Sequence, residues 1–65
     1  MMTERERIEL VVLVDSIPMV DITRFIEDNG LSAINEEIEL RRLQVYGFIE
    51  SADDLTIKQF KLEYS

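Results

Sequence analysis

Residues 47–64, GFIESADDLTIKQFKLEY, decide the fold, because they read either as two strands joined by a turn or as more helix. Phe48-Ile49-Glu50-Ser51 has strand character and Ala52-Asp53-Asp54 is turn-like. Phe60, Leu62 and Tyr64 then alternate with Lys61 and Glu63 at the period of a half-buried strand. In the rival reading Asp54 or Thr56 caps a short helix carrying Ile57, Phe60 and Lys61. The alternation favours strands, so a small β-hairpin is expected at the end of the chain.

The segments before it read as helices. Thr3-Glu4-Arg5-Glu6 has the form of a capping box, followed by Ile8, Val11 and Val12 at one spacing and Leu10, Leu13, Val14 and Ile17 at another. A strand competes over the apolar run Leu10 to Val14, whose β-branched valines favour strands, but the cap favours helix. Pro18 closes this helix and leaves Met19 and Val20 extended. Asp21 then caps a second helix with Ile22, Phe25 and Ile26 on one face. Asn29-Gly30 ends it, with Gly30 in the left-handed position and Leu31 packing back on Ile26. Ser32 caps a third helix from about Ala33 to Tyr46, stopped at Gly47 by the same device, with Phe48 on Leu43. Only about three residues separate helices 2 and 3, so a helix-turn-helix is expected over Val20 to Gly47.

A chain of 65 residues makes a single domain, 1-65. Its core is thin enough that a homodimer or a protein partner is expected to supplement it. With 46% apolar and 32% charged residues the chain has the composition of a folded protein. Neither Cys nor His occurs, which removes disulfides, thiolate metal sites and the commonest general base. The expectation is therefore a non-enzyme with no cofactor, no metal and no small-molecule substrate. The longest apolar run, Leu10 to Val14, is far short of the ~20 residues that span a bilayer, and no secretory leader opens the chain. No membrane association and a cytoplasmic location are expected.

The stretch from Ile22 to Ile49 resembles the winged helix-turn-helix superfamily. The resemblance is carried by Asn29-Gly30-Leu31-Ser32, Leu40-Arg41-Arg42-Leu43 and Gly47-Phe48-Ile49-Glu50. It implies a mainly α fold of three helices plus a two- or three-stranded wing. It also implies a DNA-binding transcriptional regulator acting as a homodimer on double-stranded DNA, with helix 3 in the major groove. Ser32 and Asn35 would then face the groove. Among the basic residues, Arg24, Arg42 and Lys58 could converge on phosphate. The candidate DNA contacts are thus Arg24, Ser32, Asn35, Arg42 and Lys58.

Charge points elsewhere. Seven basic residues against 14 acidic ones give a net charge of −7, which opposes approach to a polyanion. Glu36, Glu37 and Glu39 crowd the start of helix 3, where they also suit the helix macrodipole. At 100° per residue Ala33, Leu40, Leu43 and Gly47 form one stripe of that helix, and Ile34, Ile38 and Val45 another nearly opposite. One stripe serves the core. The other is exposed in an isolated winged helix unless helix 1 covers it, which makes Ile34, Ile38 and Val45 candidate protein-interface residues. The alternative function is therefore an acidic protein-interaction module, or an inhibitor whose glutamates mimic phosphate. Tyr46 and Tyr64 read as edge packing rather than base stacking. Asp53-Asp54 reads as a turn rather than a cation site.

Overall fold

In a computed structural model, which describes residues 2–31 and 37–64, Thr3 opens the first helix with the reciprocal bonds of a capping box. The Glu6 amide donates to Thr3 Oγ1 at 3.2 Å and the Thr3 amide donates to Glu6 Oε1 at 3.4 Å. Helix α1 runs Glu4–Ser16. Leu10 and Val14, one turn apart, face inward, and Ile17 follows them into the core. Pro18, with φ −59°, is set for a helix start rather than an extended link, so α2 occupies Met19–Asp28. It begins two residues before the expected Asp21 cap. The Pro18 carbonyl accepts from the Asp21 and Ile22 amides at 3.0 and 3.1 Å.

Helix α2 ends as its sequence requires. Gly30 has φ +64°, the Leu31 amide donates to the Ile26 carbonyl at 3.0 Å and the Gly30 amide to that of Glu27 at 3.2 Å. These two bonds define a Schellman ending. Beyond it the expected helix-turn-helix is not formed. Glu37 is extended (φ −72°, ψ 127°) and α3 runs Ile38–Glu50, so no continuous helix joins Ala33 to Tyr46 and the link to α2 is longer than three residues. Ser32, Ala33, Ile34, Asn35 and Glu36 lie outside the described residues.

The wing is also absent, and the winged helix-turn-helix fold with it: the described residues contain four helices and no strand. Gly47 does not adopt the left-handed conformation of a helix stop. Helix α3 passes through it and places Ile49, four residues after Val45, in the core with no exposed surface. Residues 48–50 therefore extend a helix rather than start a strand. Asp53 then caps α4, Asp54–Tyr64, its Oδ1 accepting from the Thr56 amide at 2.8 Å. The Thr56 hydroxyl and amide both bond this carboxylate and hold its pKa below the usual value. On α4 the inward face is Ile57, Phe60 and Tyr64 at spacings of three and four, whereas Leu62, which the strand alternation would pair with Phe60, is 71% exposed.

Helix α3 is the shared spine and packs against α1, α2 and α4. Leu10, Val14, Ile17, Ile22, Ile26, Val45, Ile49 and Phe60 form the core around it. An aromatic cluster ties α2, α3 and α4. Phe25 meets Phe48 edge-on at 5.8 Å and Phe60 at 5.4 Å, and Phe60 meets Tyr64 at 4.9 Å.

Gly47 itself is a helical, exposed residue, and a Cβ built there would meet nothing within 4 Å. Glycine inside a helix is less favourable than alanine by roughly 0.8–1.0 kcal/mol. Gly47→Ala is accordingly expected to raise stability by about that amount, seen as an upward shift in the urea midpoint. An unchanged or lowered midpoint would contradict the helical assignment at this position.

Candidate protein-interaction surface

Helix α1 is apolar around most of its circumference, because Ile8 and the unbroken run from Leu10 to Val14 occupy every direction of the wheel. A helix at the edge of a small bundle buries only one side. Leu10, Val14 and Ile17 take that side, and Ile8, Val11 and Val12 are left outward, Val12 with 63% of its surface exposed. Helix α3 repeats the pattern. Ile38, Val45 and Ile49 turn to the core, while Leu40 and Leu43 point to solvent, Leu43 again at 63%.

One residue of each stripe, Val11 and Leu43, lines a shared groove. A groove of about 470 Å³ between α1 and α3 is lined by Val11, Val14 and Asp15 on one side and Glu39, Arg42, Leu43 and Tyr46 on the other. Val12 lies outside this groove and lines another with Glu9, Leu13, Ser16 and Lys61 of α4. At one end the Arg7 guanidinium of α1 pairs with the Glu50 carboxylate of α3 at 3.7 Å. The hydrogen bond to Glu50 raises the pKa of the Tyr46 hydroxyl, helped by desolvation and the Glu50 charge and opposed by Arg7.

Arg42 lines the groove, but its guanidinium works on the fold. Nη1 donates to the carbonyls of Val14 and Ile17, both at 2.6 Å. Both lie at the C-terminal end of α1, where the Val14 carbonyl also accepts from the Ile17 amide at 3.2 Å and Ile17 is the cap residue. A cation there also suits the negative end of the helix dipole, and α1 has no basic residue in its own last turn. Its neighbour Arg41 reaches the other way, donating to Thr23 Oγ1 of α2 at 3.1 Å.

The structure does not bring the basic candidates together. Arg24 is exposed on α2, where its charge opposes the rise that burial, Glu63, Asp21 and Asp28 impose on the Tyr64 hydroxyl. Lys58 is exposed on α4 and lines a separate groove with Met2, Glu6, Asp54 and Leu62. Arg42 sits between α1 and α3. Ser32 and Asn35 lie outside the described residues, as does Ile34. Of the remaining interface candidates, Val45 has no exposed surface and Ile38 packs on the core, so the outward stripe of α3 is the Leu40, Leu43 and Gly47 one. Sequence reasoning found both stripes and reversed their roles. Val11 and Ile8 were missed as surface residues, although the all-round apolarity of α1 is a signal that some of them must face out.

Among the described residues no group of three or more carboxylates is arranged to hold a metal ion, and no helix is long and apolar enough to cross a membrane. Comparison with known proteins finds no matching family model, no matching curated protein and no matching solved structure.

Proposed function

We propose that the protein is a small acidic protein-interaction module that binds another protein through the α1–α3 face. One observation carries this reading. Val11 and Leu43, both substantially exposed, form facing walls of one groove between α1 and α3. Surfaces of this kind gain free energy when a partner covers them, at roughly 25 cal/mol per Å² of apolar area removed from water. The duplex-DNA reading has less to stand on. It drew on a wing that is replaced by α4 and on an Arg42 that is engaged with the end of α1. A net charge of −7 adds to the difficulty.

The test is a photo-crosslinking amino acid placed at position 43, and separately at position 62, in the cells that make the protein. Position 62 serves as the control because Leu62 is exposed on α4, away from the α1–α3 groove. A discrete protein adduct from position 43 and none from position 62 is the expected result. Adducts to nucleic acid alone, or identical products from both positions, would overturn the proposal.

A further inference from the structure

We infer that the α1–α3 groove takes a basic amphipathic helix of the partner protein, laid over Gly47; this rests on the interaction-module reading above and specifies its ligand. Three features of the groove select that occupant. The first is charge. Asp15 and Glu39 line the same groove as the apolar Val11, Leu43 and Tyr46. The guanidinium of Arg42, which also lines it, has Nη1 turned down onto the Val14 and Ile17 carbonyls. A ligand with apolar residues flanked by Lys or Arg therefore satisfies floor and rim together. A second copy of this chain is disfavoured, since it would bring −7 to −7. An anionic lipid surface is disfavoured on the same ground.

The second feature is shape. The groove-lining residues recur at helical spacing on both walls: Val11 and Asp15 on α1, and Glu39, Leu43 and Tyr46 on α3. Two adjacent helices that expose parallel ridges of this kind receive a third helix by the same packing that joined the first two. An extended peptide would find no strand edge to pair with among the described residues.

The third feature is Gly47. It lies one turn beyond the groove residue Leu43 on the exposed side of α3, and apart from its chain neighbours and its own helix backbone nothing comes within 4 Å of where its side chain would be. Internal packing therefore does not require glycine there, and the helix is weaker for having it. What the missing side chain does provide is a place where another backbone can approach α3 closely.

The experiment is an NMR titration of the full chain, following backbone amides. The probe is a helical peptide of leucine and lysine about four turns long, with leucines three and four residues apart. A peptide with glutamate in place of every lysine is the control. Shift changes are expected at Val11, Asp15, Leu43 and Gly47, with no binding of the glutamate peptide. Leu43→Ser and Gly47→Gln should each weaken binding at least about ten-fold, whereas Leu62→Ser should leave it unchanged. Glutamine is a better helix former than glycine, so a loss of binding in Gly47→Gln is not a loss of fold. Shifts centred on α2 or α4, equal binding of the glutamate peptide, or equal sensitivity to Leu62→Ser would overturn the inference. If the lysine peptide is inert while position 43 still crosslinks to a protein, this occupant is wrong and the interaction-module reading stands. If neither binds, both fail.

Discussion

Truncating Ile49 to alanine is expected to cost about 3 kcal/mol of stability, within the range of roughly 2–5 kcal/mol seen for Leu and Ile truncations in cores. Ile49 has no exposed surface and lies on the inward face of the helix that contacts the other three. Its loss removes apolar burial and opens a cavity at the centre of the molecule. A chain of 65 residues has a total stability of only about 3–10 kcal/mol at ordinary values per residue. The variant should therefore be largely unfolded at moderate urea concentrations that leave the wild type intact. The measurement is urea unfolding followed by far-UV circular dichroism. A loss below about 1 kcal/mol would place Ile49 at the surface, as a wing residue would be, and contradict the path of α3 through Gly47.

Arg42→Met is expected to be the second most damaging change, at about 2–3 kcal/mol, although it leaves the apolar core untouched. Methionine keeps much of the stem but offers no donor, so the Val14 and Ile17 carbonyls lose the Nη1 contacts made at 2.6 Å. Hydrogen bonds from charged donors are worth more than neutral ones, and the Val14 carbonyl would keep only the Ile17 amide at 3.2 Å. For a domain of this size the fall in Tm should be roughly 8–24 °C. Arg42→Lys should recover only part of it, because an ammonium lacks the planar spread of donors. Differential scanning calorimetry checks both variants in the absence of any ligand. A wild-type Tm for Arg42→Met would return Arg42 to the surface and free it for an external contact.

The parts of this fold that were legible in the sequence are those set by a few adjacent residues. The Thr3–Glu6 capping box and the Gly30 ending of α2 each depend on chemistry within one turn, and both form as read. What was not legible depends on competition across the chain. Gly47 is a good helix stop in isolation. Burial of Ile49 and the contact of Phe48 with Phe25 favour continuing the helix by more than the roughly 1 kcal/mol that glycine costs it. In residues 54–64 the strand and helix patterns share Phe60 and Tyr64, and they differ only in whether Leu62 or Ile57 faces inward. The deciding signal was the cap, which is Asp53 rather than Asp54 or Thr56.

The candidate surface was half legible for a related reason. A helical wheel of residues 38–50 shows two apolar stripes, but which one is buried depends on where α1 and α2 lie, and that is not a property of α3. The aliphatic content of α1 raises the same question in a stronger form. A helix that is apolar all round must either be surrounded or leave part of itself uncovered. Four short helices are too few to surround it.

The inward turn of Arg42 bears finally on kinetics. Arg5 pairs with Glu9 at 3.6 Å, Arg7 pairs with Glu50, Arg41 bonds Thr23 and Arg42 holds the end of α1. Arg5 and Arg7 are thereby paired with carboxylates, while Asp15 and Glu39 stand beside Arg42 at the groove of a chain whose net charge is −7. A cationic partner is then steered during diffusion, before any apolar contact forms. Added salt slows its capture far more than it hastens its release, so the lifetime of the complex is governed by the apolar walls and its rate of formation by the carboxylates.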